Sequence, residues 1–200
     1  MLRKALITTG FGGVLFIAVY LVLGALAPDY SSAHQTISDI EFTTFSIGQR
    51  ANFLVFGLLL IAFAVALKRE LSGGRAGHLI PLFQCVAGVA VIGDAVYIHM
   101  PLHLVCDLVA FIATLIVLFL FAWRFRCDRR WRGWAAYSIA TAFLMMLFLT
   151  AFGLANHPGG LAGVYEKLAT AVRTVWSVVL TARLLAGARL AEELPARLPV

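Results

Sequence analysis

The stretch PLHLVCDLVAFIATLIVLFLFAWRFR, residues 101–126, decides the fold class. No residue between Asp107 and Arg124 carries a charge, and the run from His103 to Trp123 has the roughly 20-residue length that takes a helix across a bilayer. Outward from it, comparable runs lie near 6–27, 46–67, 79–99, 134–155 and 164–187, separated by short polar connections. The reading is an all-α, polytopic membrane bundle of six transmembrane helices, spans 6–27, 46–67, 79–99, 103–123, 134–155 and 164–187, forming one domain over residues 1–200.

Composition points the same way. With 62% hydrophobic residues, 13% charged and a mean hydropathy of +0.92, the chain has too little polar surface to cover a soluble globule. A net charge of +6 fits a nucleic-acid binder only if the bases cluster on a soluble face, and here they sit at helix ends, so no nucleic-acid partner is expected. Cys85, Cys106 and Cys127 match no zinc or disulfide spacing and read as packing residues. Arg3, Lys4 and the apolar run ending in Ala25-Leu26-Ala27 imitate a secretory signal. That run is too long for a signal core, and Pro28 follows the would-be scissile bond, so the segment reads as a retained first span.

The basic residues set an orientation. Arg3, Lys4, Lys68, Arg69, Arg75, Arg124, Arg126, Arg129, Arg130, Arg132, Arg183, Arg189 and Arg197 all fall on one side, which the positive-inside rule makes cytoplasmic, with both termini there. Trp123, Trp131 and Trp134 then form an aromatic belt at the inner interface.

On this topology the outer end gathers Asp29, His34, Ser38, Asp39, Glu41, Asp94, His99, His103, Asp107, His157 and Glu166. Asp29, His34 and Glu41 read as loop residues turned to water. Asp94, Asp107 and Arg173 lie inside spans, with Arg173 about 13 Å into the sixth at 1.5 Å per residue. A guanidinium at that depth calls for a carboxylate, Asp94 or Asp107. The pair would serve either as a structural ion pair or as part of a substrate site.

His103 and Asp107 share a helix face four residues apart, so the carboxylate would orient the imidazole, giving a candidate general base. His99, His103 and His157 offer enough imidazoles for a zinc ion with an open position. A haem is disfavoured, because these histidines sit at helix ends and do not face each other across a bundle. Ser38 and Ser46 lie in no G-x-S-x-G elbow, which argues against a serine hydrolase. The inner half of the spans holds little polarity beyond Gln84, which argues against a transporter.

Thr36-Ile37-Ser38-Asp39 after the first span, Tyr165-Glu166-Lys167-Leu168 with Trp176 in the last, and His103 at the head of the fourth resemble the motifs of a bacterial and archaeal membrane family, domain of unknown function 998. Lys167 stands where the family pattern has arginine. The resemblance implies six helices with a polar outer end, in a bacterial or archaeal plasma (inner) membrane. It implies no reaction.

Two functions follow as expectations. In the first, an outer-leaflet pocket binds or processes a lipid or amphipathic small molecule, using Ser38, Asp39, Asp94, Glu166, Lys167 and Arg173 to hold it and His103 with Asp107 for chemistry. In the second, the chain is a non-catalytic accessory subunit or assembly factor, its partner another membrane protein or a second copy of itself.

Overall fold

A computed structural model describes residues 1–71, 73–98 and 100–193, the last six as backbone alone. Six helices in it are long and apolar enough to cross a membrane: α1 Leu2–Leu26, α2 Ser46–Glu70, α3 Gly74–Val96, α4 Pro101–Phe125, α5 Trp134–Ala155 and α6 Ala162–Glu193. The described residues contain no strand. Each helix packs on its neighbours in sequence and α6 closes back onto α1, so the six form a ring. An even number of crossings returns the chain to the end where it began.

The helices outlast the apolar runs at the basic end, where charged residues remain helical in water. Thus α2 continues through Lys68, Arg69 and Glu70, and Glu70 forms a two-pronged ion pair with Arg3 at 2.6 and 2.8 Å. The third helix runs 74–96 where 79–99 was expected. It starts early because Gly73, at φ 90°, turns the chain directly into it, and it ends before the extended Met100, whose backbone the following Pro101 steers away from helix.

Close approaches join the ring. On α2 and α3, Gly57 and Gly88 oppose each other so tightly that a Cβ on Gly57 would meet the Gly88 carbonyl oxygen at 2.6 Å, and the reverse contact would be 2.8 Å. Between α1 and α6, Gly10 and Gly13 leave room only for Thr181 and Thr174. Small residues bring helices together here because packing, not water exclusion, drives association within lipid.

Two apolar clusters fill the interior. Phe63, Leu67, Leu118, Phe121, Met145 and Trp176 form the one toward the basic end, and Phe16, Tyr20, Ile37, Ile40, Phe53 and Phe56 form the other. Trp134, the first residue of α5, is 6% exposed: it packs edge-on against Trp176, whose indole N–H donates to Ser138 Oγ at 3.1 Å. Trp123 does face outward, at 48% exposure.

Candidate functional site

The loop from Ala27 to Phe45 caps one end of the ring, and its own sequence folds it. Pro28 ends α1 by holding Ala27 extended. Thr36 and Asp39 then close a reciprocal turn: Thr36 N–H donates to Asp39 Oδ2 at 2.7 Å, and Asp39 N–H to Thr36 Oγ1 at 3.2 Å. Ser38 Oγ adds a 3.0 Å contact to Thr36 Oγ1. The loop inserts Tyr30, Ile37 and Ile40 into the bundle and is gripped there by α6.

That grip involves two expected ligand residues. Ile37 N–H donates to Glu166 Oε2 at 2.7 Å, and Lys167 Nζ donates to the carbonyls of Gln35, Ser32 and Gly163 at 2.9, 3.0 and 3.3 Å. Three carbonyls match the three donors of an ammonium, so Lys167 works as a clamp on the loop. Gly163 lies against the Ser32 and Gln35 carbonyls, too close for any side chain.

Beneath the loop lies a cavity with room of about 40 Å³ for water centres, enough for a few waters. Its apolar wall includes Phe16, Phe53, Phe56 and Phe111, and its polar wall is Asp94, Asp107, Glu166, Thr170 and Arg173. A second space of about 20 Å³ lies toward the basic end, lined by Gln84, Thr174 and Ser177 and sharing Phe56, Thr114 and Arg173 with the first. Arg173 therefore stands at the junction of the two.

Arg173 is eleven residues past Ala162, about 17 Å along α6. The expected direct pair with Asp94 or Asp107 does not form. Among the described residues its one partner is the Phe56 ring, 5.1 Å from the guanidinium carbon. All three line the same cavity, Arg173 from α6 and the two acids from α3 and α4.

Asp94 is 1% exposed, and its Oδ1 has no hydrogen-bond partner among the described residues. Asp107, Glu41 and Glu166 are its charged neighbours. His103 Nδ1 lies 3.2 Å from the Asp94 carbonyl oxygen, so Nδ1 carries the proton, and Nε2 points toward Asp107 Oδ2 at 3.7 Å. The Asp94 backbone, not the Asp107 carboxylate, thus fixes the imidazole. One ligand atom from each of Asp94, His103 and Asp107 falls within 4.8 Å of the others.

The expected metal set of His99, His103 and His157 comes together differently. His99 lies outside the described residues. His157 is exposed on the α5–α6 connection, its Nδ1 against the Pro158 carbonyl at 3.2 Å, and it joins no metal-like group among the described residues. Sequence adjacency to a helix end could not show which way the connection turns.

Glu41 is the acid that sequence reading passed over. Expected in water, it is 4% exposed with Oε1 unpartnered among the described residues. Burial, Asp107 and, in the opposite sense, Arg50 act on it, and its carboxyl is pushed up to about 7, burial being the largest cause. A lone acid in a short loop has no periodicity to betray which way it faces. The flanking Ile40 and Phe42 were the available signal.

The sequence profile of the family described as Protein of unknown function (DUF998) matches residues 11–183. The chain belongs to this family. No curated protein and no solved structure matches it. Within this DUF998 chain, the motif residues Thr36, Asp39, Glu166, Lys167 and Trp176 all make contacts that hold the loop and helices in place. Of the cavity's polar wall, Asp94, Asp107, Thr170 and Arg173 come from outside those motifs, on α3, α4 and α6, while Glu166 belongs to them.

Proposed function

We propose that this protein binds the anionic group of a lipid or other amphipathic molecule in the cavity under the 27–45 loop, with Arg173 as the anion-holding residue. The observation that carries this reading is a guanidinium near the middle of a membrane-length helix, lining a cavity and forming an ion pair with no carboxylate among the described residues. A charge so placed is costly, and a ligand anion relieves that cost while a purely structural arginine would be paired.

The size of the space suits the ligand class. It admits a phosphate or carboxylate and no acyl chain, so the tail stays in the bilayer. An apolar groove of 510 Å³ on the neighbouring α3–α4 face, lined by Leu82, Val86, Val89, Val96 and Val105, gives a tail a place beside it. In this reading the ligand enters past Asp107 and its neighbour His103, whose side chains are 28% and 17% exposed. In this reading the basic end faces the cytoplasm, the protein sits in the plasma membrane of a bacterium or archaeon, and the cavity serves the outer leaflet. His103 is the group placed to exchange a proton with the ligand. The presence of a cavity beside His103 favours binding over the role of a packing-only accessory subunit.

The test is native mass spectrometry of the full chain purified in mild detergent. Wild type is expected to retain an anionic amphiphile and Arg173→Gln to lose it, with a melting temperature unchanged or higher because a buried charge is gone. Equal retention by both proteins, or none by wild type, defeats the proposal.

A further inference from the structure

An anion beside Arg173 would also face Asp94, Asp107 and Glu166 across the same cavity. One guanidinium does not offset three carboxylates, so the polar wall as it stands repels the ligand that Arg173 attracts. Either protons or a cation must sit among the acids. The placement of His103, whose Nε2 lies 3.7 Å from Asp107 Oδ2, adds a third ligand suited to a cation.

We propose that Asp94, His103 and Asp107 form a binding site for a divalent transition-metal ion, whose open coordination positions face the cavity and Arg173. This deepens the anion-binding reading and shares its cavity, but it stands on other residues and has its own readout.

Four features of the geometry support it. The ligand atoms lie within 4.8 Å of one another, and His103 Nε2 and Asp107 Oδ2, at 3.7 Å, are close to the ~3.4 Å edge of a tetrahedron with bonds of about 2.0–2.1 Å. The Nδ1–H on the Asp94 carbonyl leaves the Nε2 lone pair free and aimed at the carboxylates, which is how ligating histidines are held from behind. Asp94, buried to 1% exposure, places one carboxylate oxygen within the group, and its Oδ1 has no hydrogen-bond partner among the described residues. His103 Nε2 is likewise a buried atom without a hydrogen-bond partner among the described residues.

Two carboxylates with one imidazole suit Zn²⁺ or Mn²⁺ better than Ca²⁺ or Mg²⁺, which seek oxygen alone. Three protein ligands leave at least one position for water or a ligand oxygen. A metal there and Arg173 opposite would hold a phosphate or carboxylate from two sides, and the metal's charge would offset the acids that otherwise repel it.

The experiment uses the full chain in detergent, stripped with chelator and titrated with Zn²⁺ alone by calorimetry, with Co²⁺ as a spectroscopic probe of the same site. One ion per chain is expected, with visible Co²⁺ bands of low coordination number. Asp94→Asn and His103→Ala should each weaken Zn²⁺ at least tenfold, and His157→Ala should leave it unchanged. Because Asp94→Asn puts an amide NH2 in place of a buried carboxylate oxygen, melting curves accompany each variant, and His103→Gln provides a second loss of ligand with a smaller change in volume than His103→Ala. Absence of a stoichiometric ion, or affinity untouched by His103→Ala and His103→Gln, overturns the proposal. So does retention of an amine-bearing lipid by metal-free protein, since an ammonium would then occupy the acids. Loss of lipid in Arg173→Gln with Zn²⁺ binding intact would keep the two readings separate.

Discussion

Glu41 and Arg173 show how a single residue's surroundings reverse the meaning of its charge. Glu41 lies in the loop, buried with its carboxyl raised from 4.5 to about 7. The folded state therefore holds this proton more tightly than the unfolded chain, and the sign follows. Below about pH 4.5 the group is protonated in both states and costs nothing; as pH rises from there to about 7, the unfolded chain ionises while the folded state keeps its proton, so folding must take up a proton and stability falls, levelling off above about 7. Glu41→Gln should accordingly melt like wild type in acid and higher than wild type above pH 7, by about 2–4 °C for each kcal/mol removed. A melting-temperature series across pH 4 to 8 checks it. Equal slopes for the two proteins would mean that the carboxyl is solvated. Arg173 is legible from sequence as a buried cation, but its partner is not, because the space between α6 and the α3–α4 pair is set by packing and not by residue spacing.

The elements depend on close contacts that spacing alone only suggests. Gly88 stands out in the sequence as a small residue within a span, but its counterpart Gly57 becomes visible only once α2 and α3 cross with their carbonyls against each other's Cα. Gly57→Leu should cost about 1–3 kcal/mol by overpacking, or split the helix pair, whereas the same change at Gly153, which meets nothing within 4 Å, should be near neutral. Thermal melting of the two variants side by side distinguishes a specific crossing from a general intolerance of bulk. The 27–45 loop behaves as an element in its own right. Its Thr36–Asp39 turn is local and readable, while its seat under Lys167 and Glu166 joins residues more than 120 positions apart.

At the scale of the whole molecule, six crossings place the basic residues at one end and the cavity toward the other. Cys127 is exposed on the basic end between α4 and α5. With the basic end cytoplasmic, a membrane-impermeant maleimide should leave Cys127 unlabelled in intact cells and label it in inverted vesicles, with Cys127→Ser as the blank; labelling of intact cells would turn the topology over. The sequence by itself determined the class, the number of helices and their rough limits, since crossing a bilayer demands long uncharged runs whose length is set by the membrane rather than by tertiary contacts. It also picked out Asp94, Asp107 and Arg173 as costly groups for their depth, and His103 for its spacing to Asp107. Only the tertiary structure decided how they meet: Asp94 and His103 joined through a backbone carbonyl, Glu41 turned inward, His157 left outside and Arg173 held apart across a cavity. The reason is that helix rotation and loop seating follow from side-chain packing among distant residues, which leaves no periodic mark in the chain.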